Sequence, residues 1–166
     1  MALATYIPED VSCIVAGIIN VEGYVDGTFI TIDKDVPPYT PTITPDGTIA
    51  RTQNGDTTYT VSITIQAAST TNDVLTKLWQ LDQLTNMGKG PLFIKDRSGS
   101  DLFFAATAWI EGLPSMSKSN GADERTWTFR AAAPLVNFGN NEEASGLVQD
   151  IINLATGALP SLGGLL

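Results

Sequence analysis

One nine-residue stretch, residues 58–66, constrains the fold of this chain more than any other part of the sequence. In this stretch Tyr59, Val61, Ile63 and Ile65 alternate with uncharged polar residues. Successive side chains of a β-strand point to opposite faces, so the alternation predicts a strand with one apolar face and one polar face. A half-buried sheet explains this pattern, and the hydroxyl-rich face also suits the wall of a water-filled channel.

The composition favours a β-rich fold in one domain. The chain has 166 residues, of which 43% are apolar and only 16% are charged, against roughly a quarter charged in an average soluble domain. Eleven threonines lie between residues 40 and 71. Threonine is β-branched and fits a pleated strand, while its hydroxyl keeps the outer face polar.

Further strands are predicted where β-branched and aromatic residues lie between glycine, asparagine or aspartate turns. The segments are two or three strands within 11–35, then 92–96, 102–110 and 125–132, of which 125–132 is the last. Residues 97–100 join two of them as a hairpin. In the last strand Trp127 and Phe129 share one face, and Thr126, Thr128 and Arg130 share the other.

Residues 33–56 are predicted to form a long extended arm. Four prolines, at positions 37, 38, 41 and 45, are expected to break any strand ladder, with room for a short strand at 48–52. A connection of this length within one domain is unusual and tends to have a function.

One internal helix is predicted over residues 72–87. Asn72 is expected to cap it and Gly88 to close it. An apolar stripe is expected to pack on a sheet, with Trp79 at its edge. The stripe consists of Val74, Leu75, Leu78, Leu81 and Leu84.

Residues 139–166 are predicted to form a C-terminal extension outside the domain of residues 1–138. Glu142 and Glu143 suit the start of a short helix, and the segment after Asp150 carries no charge. An apolar tail of this kind needs a surface to cover, and a neighbouring subunit is a natural one.

The residue types needed for common catalytic chemistry are scarce. The chain has no histidine, which removes Ser-His-Asp and Cys-His catalysis and the commonest metal ligand. Cys13 is the single cysteine and lies in an apolar run, so a buried and inert thiol is expected. Asp96 and Asp101 suit a turn better than a calcium loop. We therefore expect no enzyme, no metal and no cofactor.

The net charge of −9 argues against binding of nucleic acid through phosphates, because few cations are available to replace counterions. The sequence shows no signal peptide pattern and no apolar segment long enough to span a membrane. Folding in a cytoplasm is expected.

The order of these segments resembles the tail tube proteins of tailed bacteriophages, especially a family found mainly in phages with contractile tails. The resemblance covers roughly residues 5–135. The matching stretches are Gly23 with residues 26–30, residues 45–47, residues 60–66 leading into 69–75, residues 93–96 with Gly99, and residues 127–129.

The resemblance implies a β-sandwich or barrel-like fold with one flanking helix, similar to the tube protein of type VI secretion. Subunits of this family form hexameric rings that stack into a hollow tube, through which genome DNA passes without specific binding. The implied partners are tail sheath, baseplate and tape-measure proteins, in a virion tail assembled in the host cytoplasm.

Two sets of residues are expected to serve such a tube. The expected contacts between subunits or rings lie in the arm and the tail: Asp33, Lys34, Asp35, Tyr39, Asp46, Arg51, Leu159, Leu162 and Leu165. The residues expected to face the lumen are Asp33, Thr58, Thr60, Thr64 and Glu111.

Two alternatives remain at this point. A tube terminator or baseplate adaptor would have the same fold and different neighbours. A ligand-binding β-sandwich of another class would predict exposed aromatic residues around a pocket, with Tyr24, Tyr39 and Trp109 as candidates.

Overall fold

Residues 5–139 are described by the structure, which is a computed structural model. This part of the chain contains ten strands, one α-helix and a short 3₁₀ turn at Pro8–Asp10. The elements are β1 (Val11–Val15), β2 (Ile19–Asn20), β3 (Ile30–Lys34), β4 (Tyr39–Ile43), β5 (Ile49–Gln53), β6 (Thr58–Gln66), α1 (Thr71–Thr85), β7 (Gly90–Asp96), β8 (Leu102–Gly112), β9 (Glu124–Ala132) and β10 (Leu135–Asn137).

Eight strands form one antiparallel sheet in the order β2-β1-β7-β8-β9-β6-β3, with β10 also paired to β8. The alternation in β6 is confirmed, because Val61, Ile63 and Ile65 are fully buried while the polar residues between them are partly exposed. The predicted fold class, mainly β with one helix, is also confirmed.

The sheet curls so that its two ends approach each other. Ile30 and Ile32 of β3 line the same cleft as Val11 of β1 and Ile94 of β7, although β3 and these strands lie far apart in the sheet order. The core lies inside this curl. Its largest fully buried side chains are Trp127, Phe103, Phe129, Ile63, Ile65, Leu75 and Leu92.

The helix differs from the prediction at both ends. Thr70 is the N-cap residue and makes no side-chain capping bond, whereas Asn72 is buried within the first turn. At the other end Asn86 adopts a left-handed conformation (φ 56°) and ends the helix two residues before Gly88. Asn86 can do this because asparagine tolerates that region better than most residues.

The predicted apolar stripe is wrong for three of its five residues. Leu75 is fully buried, and Leu78 and Trp79 pack against the core. Val74, Leu81 and Leu84 are exposed, and Leu84 is 85% accessible. The helix therefore docks through a narrow strip near its N-terminal half, since the curled sheet offers no surface to the remainder.

The arm contains a two-stranded hairpin, so the expectation that its prolines prevent pairing is wrong. β4 pairs with β5, with Pro41 opposite Arg51. The amide of Thr44 donates to Thr48 O and the amide of Asn54 donates to Pro38 O, which places the odd-numbered residues of β4 at positions whose nitrogen faces away from β5. Proline is tolerated at such an outward position because no ladder bond is lost.

A tenth strand follows the predicted last one. Ala133 adopts a positive φ of 44° after β9, and β10 then pairs with the first part of β8 while β9 pairs with the remainder. No strand was predicted here, because three residues are too few to show an alternating pattern. Within residues 5–139, no helix is long and apolar enough to cross a membrane.

Candidate functional site

The polar face of β6 and β9 is a continuous hydroxyl surface. Thr60 lies opposite Arg130, Ser62 opposite Thr128, and Thr64 opposite Thr126. The hydroxyl oxygens of Thr64 and Thr126 are 3.0 Å apart and share a hydrogen bond. Threonine and serine pairs across an antiparallel ladder stabilise the sheet and leave the outer face wet.

Arg130 is the cation on this face, and two carboxylates surround it. Its Nε and Nη2 donate to Glu111 Oε1 and Oε2 at 3.1 and 3.0 Å, and its Nη1 donates to Asp35 Oδ2 at 2.7 Å. Glu111 follows the buried Ile110 in β8, beside a register shift between Ile110 and Gly112, and its side chain is on this side of the sheet. The paired geometry of Glu111 with the guanidinium is the strong, bidentate kind.

Two threonines complete the surroundings of Asp35. Thr58 Oγ1 donates to Asp35 Oδ2 at 2.7 Å, and Thr60 Oγ1 donates to Asp35 Oδ1. These hydroxyl bonds, the bond from Thr60 first, lower the pKa of Asp35 below its usual value, and the charge of Arg130 adds to the effect. The hydrogen bond from Arg130 to Glu111 raises the pKa of the guanidinium in turn. Asp35 and Arg130 are therefore both ionised at neutral pH.

This arrangement leaves a phosphate with little to bind. Within β3, β6, β8 and β9, Arg130 is the one cation on the polar face, because Lys34 and Arg125 belong to the opposite set of alternating positions. Each of its three nitrogen atoms already donates to Asp35 or Glu111. The face thus combines uncharged hydroxyls with a net negative charge.

All five residues expected to face a lumen lie on this one surface. Asp33 is exposed and pairs with Thr60 across β3 and β6, and the other four contribute to the hydroxyl ladder or the ion pairs. The five residues expected to face the lumen are Asp33, Thr58, Thr60, Thr64 and Glu111. The sequence did not identify Arg130 as the centre of the cluster, because no local pattern signals its contacts with Asp35 and Glu111, 95 and 19 residues away.

The hairpin of β4 and β5 presents a second surface. Ile43 and Ile49 lie directly opposite each other and are 71% and 72% exposed. On the same face, the guanidinium of Arg51 lies over the ring of Tyr39 at 4.2 Å from its centroid. The opposite face carries threonines and Ala50. The sequence signal for this apolar face was the pair of isoleucines that flank a turn.

That turn is built by residues 44–47. Gly47 has a φ of 84°, and Asp46 Oδ1 accepts hydrogen bonds from the Thr44 hydroxyl and the Thr48 amide. These bonds, the bond from Thr44 first, lower the pKa of Asp46. Asp46 therefore shapes the tip of the hairpin.

The remaining predicted contact residues divide between the hairpin base and the undescribed tail. Lys34 Nζ donates to Asp56 O at 3.1 Å and lies over the Tyr59 ring, so it anchors the base of the arm. Leu159, Leu162 and Leu165 lie outside the described residues, and their role as contacts stays a prediction.

The three aromatic residues suggested for a ligand site do not meet. Tyr24 contacts Phe29, with ring centroids 4.8 Å apart, Tyr39 lies on the hairpin, and Trp109 lies opposite Arg130 on β8. They do not form the cluster around a pocket that the ligand-binding alternative requires.

Comparison with solved structures identifies the architecture. The cap of the anti-feeding prophage, a tube terminating cap, aligns with a TM-score of 0.58 at 11% identity, covering 82% of this chain and 93% of that chain. The sheath/tube terminator of the extracellular contractile injection system PVC aligns at 0.54 and 15%, covering 82% of this chain and 100% of that chain. The tail tube of SPP1 aligns at 0.50 and 12%, covering 95% and 91%. The fold is that of tail tube proteins.

A curated relative points in the same direction. The chain is 26% identical over 156 residues to Structural protein ORF10 of Pseudomonas phage KPP10, covering 90% of each chain. No family model matches the sequence. Together these comparisons show a tail-tube fold and a likeness to a phage structural protein. The chain has a tail-tube fold, which a tube protein and two tube terminators share.

Proposed function

We propose that this chain is the subunit of a phage tail tube, stacking as rings into a hollow conduit for genome DNA. The observation that carries this proposal is the pairing of one wet, hydroxyl-rich sheet face with an exposed apolar hairpin on the same subunit. A conduit subunit needs both: an inner wall that does not hold its cargo, and a projection that joins the next subunit.

The polar face of β6 and β9 is assigned to the lumen. Binding of DNA depends on cations that replace phosphate counterions. Arg130 already forms ion pairs with two carboxylates and so does not bind phosphate. Its Nη1 lies 2.7 Å from Asp35 Oδ2, and its Nη2 lies 2.8 Å from Glu111 Oε1. DNA therefore meets hydroxyls and carboxylates along this face, and it passes without being held.

The hairpin of β4 and β5 is assigned to contact with an adjacent ring. A two-stranded hairpin has marginal stability alone, and every residue of β4 and β5 is exposed in the isolated subunit. Burying Ile43, Ile49 and the ring of Tyr39 against a neighbour would remove this apolar surface from water. Sheath, baseplate and tape-measure proteins are the partners that such a tube implies.

A terminator that closes the end of a tube is the second candidate. The two terminator structures align with TM-scores of 0.58 and 0.54, above the value of 0.50 for the SPP1 tube. A terminator would also form rings, but it would stack on one side only. The length of the assemblies therefore separates the two functions.

Negative-stain electron microscopy of the purified full chain at rising concentration makes this test. A tube subunit is expected to give tubes of uniform diameter and variable length. Assemblies that stop at a single ring, or at a pair of rings, would instead support the terminator. A protein that stays monomeric at every concentration would contradict both.

A further inference from the structure

An apolar cleft opens between β3 and the β1–β7 end of the curled sheet. Its volume is about 560 Å³, within the range of about 300–1,000 Å³ that encloses a compact ligand or several side chains. Val11, Ile30, Ile32, Ile94 and Phe103 form its apolar wall. A mostly apolar cleft of this size is a surface that an apolar segment can cover.

The chain leaves the described region at the rim of this cleft. The amide of Gly139 donates to Asp101 Oδ1 at 2.7 Å, and Asp101 itself lines the cleft. Asn137 Nδ2 donates to Ser100 O at 2.6 Å and fixes the preceding turn of chain. The next 27 residues, 140–166, therefore start beside the opening.

Two exposed aromatic residues lie at the opening. Tyr6 is 52% and Phe138 is 63% accessible, and both line the cleft. Large apolar side chains in this position lose solvent contact once a segment lies across them, which favours an apolar occupant.

The negative charge of the cleft disfavours an acidic segment as its occupant. Asp96 and Asp101 are the charged residues of the cleft. Asp96 Oδ1 accepts bonds from the amide and hydroxyl of Ser98, and neither carboxylate has a cation bonded to it in the described part of the chain. An acidic segment would be repelled, whereas residues 151–166 carry no charge at all.

We infer that residues 151–166 of the same chain fill this cleft. Eleven residues lie between Gly139 and Ile151, and an extended chain over this interval reaches about 40 Å, ample for a return to the adjacent opening. A short tether also gives the tail an effective concentration on the order of millimolar at its own cleft. Leu154, Leu159 and Leu162 then pack inside their own subunit, in place of the neighbouring subunit that the sequence suggested.

Disulfide trapping in the full chain tests this assignment, independently of whether tubes form. Thr28, which is exposed and lines the cleft, is changed to cysteine. It is combined in turn with Ala155→Cys, Ser161→Cys or Leu162→Cys. The matched control replaces Thr28→Cys with Thr107→Cys, an exposed position on the other face of β8. Mild oxidation is followed by non-reducing electrophoresis and mass spectrometry.

At least one of the three tail positions is expected to form an intrachain disulfide with residue 28 about tenfold faster than its control, because both pairs are tethered equally and only docking holds the tail beside residue 28. Equal rates in cleft and control pairs would overturn the inference. Disulfides formed mainly between two chains would overturn it as well and would return the tail to a neighbouring subunit.

A second measurement covers the case in which an engineered cysteine disturbs packing. A chain that ends after Asp150 is expected to bind the apolar dye ANS several-fold more strongly than the full chain, because the cleft is open. The change Ile32→Asp in the truncated chain is expected to reverse this gain. If truncation leaves dye binding unchanged, the cleft is not where the tail lies.

Discussion

The indole nitrogen Nε1 of Trp127 donates a buried hydrogen bond of 3.0 Å to Oδ1 of Asn72. Trp127 lies at the centre of β9 and Asn72 in the first turn of α1, so this bond joins helix and sheet inside the core. The side-chain nitrogen Nδ2 of Asn72 also donates to Gln66 O at 2.9 Å and to Ser69 O at 3.0 Å. These bonds fix the chain between β6 and the helix. One side chain thus sets the position at which α1 meets the sheet.

Replacing Asn72 with alanine is expected to destabilise the domain by about 2–3 kcal/mol, because a buried indole N–H and two carbonyls lose their partner. Urea unfolding followed by fluorescence measures this loss. The matched control is Gln80→Ala, an exposed change on the same helix, expected to alter the free energy of unfolding by no more than about 0.5 kcal/mol. Equal effects of the two changes would contradict this role for Asn72.

Acid is expected to weaken the cluster around Arg130 through Asp35. The folded-state pKa of Asp35 is lowered, so its contribution to stability is present above the unfolded value of about 3.9 and is lost as the pH falls through the folded value. Asp35→Asn should cost about 1 kcal/mol at pH 7, and this difference should shrink below about pH 4. Unfolding curves of both proteins at pH 7 and pH 3 provide the check, with exposed Asp26→Asn as the control. A difference that is independent of pH would show that Asp35 acts only through packing.

Cys13 is expected to resist thiol reagents while the protein is folded. It is fully buried, and burial raises the pKa of its thiol to about 12. At pH 8 only about one molecule in ten thousand then carries the reactive thiolate. Ellman's reagent should react within seconds in urea and only at the rate of unfolding in buffer. Fast reaction of the folded protein would contradict the burial of this side chain.

The raised pKa of Cys13 also has a consequence at alkaline pH. The unfolded thiol ionises near pH 9 and the folded thiol only near pH 12, so stability should fall as the pH rises across that window. Cys13→Ser should flatten this decline, and urea unfolding at pH 8 and pH 10.5 measures the difference. The same slope in both proteins would assign the decline to other groups.

The apolar face of the hairpin is expected to be required for stacking. Ile43→Asp puts a charge into a contact that would otherwise be buried, and it should reduce assembly at least tenfold at equal concentration. Thr42→Asp, on the opposite face of the same strand, is the matched control and should assemble normally. Sedimentation velocity measures the assembled fraction, and circular dichroism establishes that both variants fold. If the two variants assemble equally, this face of the hairpin is not a contact.

The predictable part of the fold was the part whose signals are local. The alternation in residues 58–66, the hairpin over residues 97–100 and one internal helix, predicted over residues 72–87, follow from side-chain period and turn chemistry alone. The exposure of Leu81 and Leu84 could not be predicted, because a helical stripe shows which side is apolar and not how far the facing sheet extends. The pairing at Pro41 could not be predicted either. A proline removes a ladder hydrogen bond only where its nitrogen faces the neighbouring strand, and the sequence does not show which way that nitrogen faces.

The sequence predicted which residues lie on the polar face, but it did not predict the ion pairs and hydrogen bonds between them. The hydroxyl face of β6 was visible in the sequence, and Asp33, Thr60 and Glu111 do lie on it. The ion pairs of Arg130 join residues from three separate segments, and a single sequence carries no signal for such contacts. Sequence assigned Asn72 to a helix cap for a similar reason, because its partner Trp127 is 55 residues away.

Cryo-electron microscopy of the full chain at high concentration shows which sheet face lines the channel of an assembled tube. We expect stacked rings around an open channel, with the polar face of β6 and β9, including Thr64 and Thr126, on the inner wall. We also expect the hairpin of β4 and β5 to contact the next ring. A monomer at every concentration, or a tube in which this face is turned outward or buried between subunits, would rule out the proposed tube subunit.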